Sequence, residues 1–165
     1  MLVSYSLSIS AQSSRETIVV TELNSVLFTN GVSARVASTS SNSINIERLR
    51  DLVIEVQNSY YFTGGEVKTY GDQPTNLYTD SASLNQVNNS IPLKQNIEIV
   101  TIRINNSNEA NSPIDLSVFS NFPNLKYIYF LTSVNTTSQN IASKIINYSS
   151  RFNIFYKIDK GDSNQ

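Results

Sequence analysis

The chain has 165 residues, a length at which one domain buries a continuous core without disulfide or metal staples. Cysteine and histidine are absent, which excludes disulfides, thiolate or imidazole metal sites, lipidated cysteine, cysteine nucleophiles and imidazole-based triads, and no metal or cofactor is expected. The formal net charge is −1 and charged residues are 15%, without a cluster of three Lys or Arg, so nucleic acid has no electrostatic footprint here; no apolar run approaches the ~20 residues that span a bilayer.

The first pattern is Val3 to Ser10, in which Val3, Tyr5, Leu7 and Ile9 alternate with four serines. Period-two alternation suits a strand with one buried face. The same stretch runs into Ser-Ala-Gln at 10–12, which resembles the end of a bacterial secretory signal cut between Ala11 and Gln12, although no basic residue precedes it and Ile9 is large for its position. The expected organisation is a signal-peptide remnant over 1–11, one domain over 12–160 and a frayed tail over 161–165, which places the protein in the periplasm or outside the cell. If Val3 to Ser10 is a true strand, the expectation is a cytoplasmic structural protein.

Further along, "YYFTGGEVKTYGDQPTNLYTD" (60–80) concentrates Tyr60, Tyr61, Tyr70 and Tyr78 around the Gly64-Gly65 pair, with Glu66, Asp72 and Asp80 nearby. It reads either as a hairpin turning at the glycines or as an aromatic shelf edged by carboxylates, which suits a sugar-binding surface. Without His or Cys, catalysis would need paired carboxylates as in glycosidases, and Glu66 with Asp72 or Asp80 is the candidate group for a small carbohydrate hydrolase. Asp80-Ser81-Ala82 resembles a bacterial O-glycosylation motif with Ser81 as acceptor, and is equally a helix-capping sequence. Strands are expected over 96–104, 125–132 and 152–158, where β-branched and aromatic residues dominate. Between the last two, Ile141, Ile145 and Tyr148 share a helical face with Ser138 available as N-cap, which predicts a parallel crossover. Ser and Asn exceed a quarter of the residues, a bias that suits turns and equally follows from base composition.

Apolar anchors recur as Leu23, Val26, Phe28; Leu49, Leu52, Ile54; Ile99, Ile102, Ile104; and Leu125, Ile128, Phe130, with a further step reaching Ile154 and Tyr156. Their middle members, Val26, Leu52, Ile102 and Ile128, fall 26, 50 and 26 residues apart, with a missing unit expected near Leu77 and Tyr78. This spacing, and above all Val118 to Phe130 with Phe119, Phe122, Leu125, Ile128 and Phe130 at the leucine positions, resembles a leucine-rich repeat of exported bacterial type. The positions of the family's ladder asparagine hold Gly31, Gln57, Ser107, Ser133 and Asp159, polar or small throughout, so the ladder is degenerate or the register is shifted.

The resemblance implies an α/β open solenoid with short parallel strands, acting as a non-enzymatic module that binds a protein or glycan on its curved sheet. Arg103, Lys126, Tyr127 and Tyr129 would then lie on the binding surface. The alternatives are a compact layered α/β domain and a mainly β domain.

Overall fold

The structure, a computed structural model, describes residues 17–28 and 44–161. Val3 to Ser10, the Ala11–Gln12 junction and the last four residues lie outside that range. The fold is α/β, built on a seven-stranded sheet in which only one pairing is antiparallel.

The strands are β1 (Val20–Glu22), β2 (Ser59–Thr63), β3 (Glu66–Tyr70), β4 (Asn76–Asp80), β5 (Ile99–Ile104), β7 (Tyr127–Thr132) and β9 (Asn153–Ile158), in the spatial order β1-β9-β7-β5-β4-β2-β3. Two-residue strands β6 (Ile114–Asp115) and β8 (Ile145–Ile146) pair apart from it. The expected strands at 96–104, 125–132 and 152–158 are therefore present as β5, β7 and β9, and their parallel pairing matches the expected crossover. β4 supplies a strand at Leu77 and Tyr78. From β4 onward each new strand of the large sheet adds beside the last, while β1 closes the opposite edge.

Among the described residues five α-helices accompany the sheet: α1 (Leu23–Leu27), α2 (Ile46–Ile54), α3 (Leu84–Ser90), α4 (Ser107–Asn111) and α5 (Ser138–Lys144). One face of the sheet buries Tyr60, Phe62, Leu77, Ile102, Phe130 and Ile154 with Leu84 and Val87 of α3, Phe119 and Phe122 of the loop before β7, and Ile141 of α5. Alternation in the strands directs these residues to one side, and the crossovers supply the apolar cover. On the other face, Leu23, Val26 and Leu27 of α1 and Leu49 and Leu52 of α2 pack with Ile99, Tyr127, Tyr129 and Phe155, and Leu131 is partly buried against them.

Several expectations are corrected. Leu23–Phe28 and Leu49–Ile54, expected as strands of the first two repeat units, are helices α1 and α2 with their caps. The first two anchors of each triad are three residues apart, which suits a helical face as well as a repeat, and Asn45 caps α2 by accepting the Arg48 N–H at 2.9 Å. The expected helix through Tyr148 stops at Lys144, because Ile145 turns extended and pairs with Ile114. Its N-cap is Thr137 rather than Ser138. The hairpin at Gly64-Gly65 is present, with φ of 60° and 86° at the two glycines, the positive pair that a tight two-residue turn between twisted strands requires.

Candidate functional site

The part of the second face that the described helices leave uncovered is read off the register. Lys68 of β3, Tyr61 of β2, Tyr78 of β4, Thr101 of β5 and Tyr129 of β7 are successive Cα partners and so share that face. One step toward the carboxyl ends, Asp80, Arg103, Leu131 and Lys157 form a second row. α2 reaches the amino end of β4, where Asn76 is buried against Leu52, and the helices leave tyrosines of β2 and β3 open to solvent: Tyr61 is 45% and Tyr70 57% exposed.

These rings are organised against one another. Tyr61 stacks on Tyr78 with centroids 4.6 Å apart and planes within 14°, and Tyr70 meets Tyr61 edge-on at 5.3 Å and 78°. Stacked and edge-on pairs satisfy the ring quadrupoles, so the cluster is held in place without a covering element. The Tyr78 hydroxyl lies 3.5 Å from Asn76 Nδ2, and the ring also lines the space on the β5 side. A groove of about 350 Å³ opens there, lined by Tyr78, Thr101, Arg103, Asn105 and Leu131 among others. It continues through shared residues Arg103, Asn105 and Leu131 into a second trough of about 380 Å³ that reaches Asp159 and Lys160. This position, outside the carboxyl ends of parallel strands, is where open α/β sheets place their ligands.

Burial pushes the Tyr61 hydroxyl above the ordinary phenol value, Tyr78 and Tyr70 push the same way, and Arg103 pulls it back. Tyr129 lies deeper, and burial, with Asp159, Glu22 and Tyr78 acting in the same direction, raises its hydroxyl to about 12. Both phenols are neutral hydrogen-bonding groups at physiological pH.

The residues singled out from sequence divide by strand parity and by their place across the sheet. Tyr61, Tyr70, Tyr78 and Arg103 come together at the groove. Tyr60 does not join them: it is 2% exposed and points into the helix-packed core. Tyr127, also 2% exposed, and Tyr129, 8% exposed, belong to the cluster beneath α1 and α2, and the Tyr127 hydroxyl donates to the Asn45 carbonyl at 3.3 Å. Lys126 is exposed at the opposite end of the sheet, beside Gln95, Glu98 and Asn124. Thr101, Asn105 and Leu131 are site residues the sequence reading missed. Their signal was their register beside Tyr78 and Arg103.

Of the candidate carboxylates, Glu66 opens β3 and Asp72 lies beyond its end, past the turn at Gly71 with φ of +80°. Asp80 is engaged as a cap, accepting the Ser83 N–H at 2.8 Å, and Ser81 donates to Glu109 at 2.8 Å. Among the described residues no cluster of three metal-ligating side chains occurs, and no helix is long and apolar enough to cross a membrane.

The chain matches no family model, no curated protein and no solved structure. The groove's own chemistry is what bears on function.

Proposed function

We propose that this protein is an exported, non-enzymatic binding module that holds a glycan against the open half of its sheet, in the periplasm or outside the cell. The observation that carries this reading is the ordered Tyr61–Tyr78–Tyr70 cluster on an uncovered sheet face, bordered by Thr101, Arg103 and Asn105. Ordered tyrosines left in water keep apolar area exposed, at roughly 25 cal/mol per Å² that a ligand recovers on contact. A pyranose ring suits them, because its C–H face stacks on a flat ring while its hydroxyls bond to the polar border.

The leucine-rich-repeat-like reading is part of this proposal. β4, β5, β7 and β9 follow in chain order across the sheet, and successive partners Asn76, Ile99, Tyr127 and Asn153 lie 23, 28 and 26 residues apart. Regular advance of one short parallel strand per unit supports a solenoid-like origin. Export rests on the signal-like Ser-Ala-Gln at 10–12.

A glycan array probed with the full chain, followed by calorimetry on the retained sugars, tests the reading. Retention without turnover is expected, and Tyr78→Ala should weaken it about tenfold, a loss of ~1.4 kcal/mol. An array on which no glycan is retained would sink the proposal, and turnover blocked by Asp80→Asn would replace it with a hydrolase. Export is checked by intact mass of the periplasmic and medium fractions of the native host: a species starting at Gln12 is expected, and a solely cytoplasmic full-length chain refutes it.

A further inference from the structure

Arg103 sits where the two troughs join, exposed at the carboxyl end of β5. Among the described residues it makes no ion pair; the pair that occurs is Arg48 with Glu98, at the other end of the sheet. Its acidic neighbours each accept a hydrogen bond from another residue. Asp80, its Cα partner on β4, accepts the Ser83 N–H at 2.8 Å, and Asp159 accepts the Gly161 N–H at 3.2 Å. Glu109 accepts from Ser81 at 2.8 Å and from the Asn105 N–H at 2.9 Å. Lys157, two strands over in the same row, and Lys160 in the adjoining trough add positive charge on that side.

A guanidinium with its apolar stem beside Leu131 and its planar fork open to a groove is shaped for a bidentate oxyanion. It is also placed for the stacked ring. Arg103 is diagonal to Tyr78 across one strand spacing, about 8 Å between Cα atoms from strand spacing and rise, which is the reach between a sugar ring on Tyr78 and a charged substituent on that ring or its neighbour.

Resting on the glycan reading above, we propose that the ligand is an acidic saccharide whose carboxylate or sulfate group is paired by Arg103 while a pyranose ring packs against Tyr78 in the same groove. Thr101 floors the groove between them, and Asn105, whose Nδ2 donates to Glu109 at 3.5 Å, presents its amide oxygen as an acceptor for hydroxyls flanking the oxyanion. No bond is made or broken.

The test uses the full chain and titration calorimetry with four probes: a galacturonate trisaccharide and its methyl ester, and a sulfated trisaccharide and its desulfated form. At least one acidic probe should bind about tenfold more tightly than its neutral counterpart, the scale of one charge-assisted contact, and which of the two does so identifies the anion. Arg103→Gln should bring acid and neutral forms within about twofold of each other, Arg103→Lys should retain part of the preference, and Tyr78→Ala should weaken both forms together. Thermal midpoints of the variants exclude loss of fold. Equal binding of acid and neutral forms by the wild type, or a preference that survives Arg103→Gln, overturns the acidic assignment and leaves the glycan reading standing. If none of the four probes binds and the array is also empty, both fall.

Discussion

Replacing Asn76 with alanine tests how the second face of the sheet acquires its partial cover. Asn76 lies on β4, 2% exposed, and its Nδ2 donates to the Leu52 carbonyl at 2.7 Å, while its Oδ1 accepts from the Thr75 hydroxyl at 3.1 Å. Leu52 is in the last turn of α2, whose final four carbonyls have no partner within the helix. Asn76 thus acts as a cap delivered from the sheet, joining α2 to β4 across 24 residues of chain. In Asn76→Ala the Leu52 carbonyl loses its partner in a buried setting, which costs about 1–3 kcal/mol, and the small void left by the amide adds to this. We expect a loss of about 2–3 kcal/mol in urea unfolding followed by circular dichroism, and a fall of about 4–10 °C in Tm for a chain of this size. Asn76→Asp provides a second reading: protonated, its carboxyl still donates to Leu52, whereas ionised it sets negative charge against a carbonyl. Burial raises the pKa of such a group in the fold above its unfolded value, so relative to wild type this variant should be better tolerated near pH 4 than at pH 7. A loss below about 0.5 kcal/mol in Asn76→Ala would refute the capping argument.

Gly71 has φ of +80°, and a Cβ there would clash with Asn58 Oδ1 and lie 2.9 Å from Asn58 Cβ; Gly71→Ala should therefore lower stability by more than about 1 kcal/mol in urea unfolding. Gly64, with φ of +60° and open space around its Cβ position, should accept Asn within about 0.5 kcal/mol in the same assay. The Tyr129 hydroxyl, raised to about 12 from 10.0, is held neutral in the fold, so its contribution is whole below pH 10 and is lost as pH rises toward 12; Tyr129→Phe should flatten that part of the alkaline stability curve, and an unchanged slope would count against it. Arg48 reaches Glu98 through Nη2 at 2.6 Å and Nε at 3.1 Å, with the side chains 35% and 25% exposed; Arg48→Ala should cost about 0.5–1 kcal/mol after solvent screening, and less in 1 M salt.

Local chemistry made much of the architecture legible. Ile99–Ile104, Tyr127–Thr132 and Asn153–Ile158 are dense in β-branched and aromatic residues, and a Gly-Gly turn between tyrosine-rich segments specifies a hairpin by its backbone alone. Leu49 and Leu52 were ambiguous, since a spacing of three serves both a helix and a repeat anchor. Capping by Asn45 and docking of both leucines beneath the sheet resolved them as α2. Ile145 was ambiguous in the same way, and its partner Ile114, distant in the chain, drew it out of the helix.

Composition by itself determined that any chemistry here proceeds without thiol or imidazole, and the density of β-branched and aromatic residues marked the main strands. Which face meets water was decided only by tertiary structure. Tyr60 and Tyr61 are adjacent in sequence and opposite in fate, because successive side chains point to opposite sides and the crossovers covered one side completely while α1 and α2 covered the other in part. Tyr78, Tyr61, Tyr70 and Arg103 become one site through pairing registers between four strands. That long-range placement comes from burying the remaining apolar surface, which no local pattern encodes.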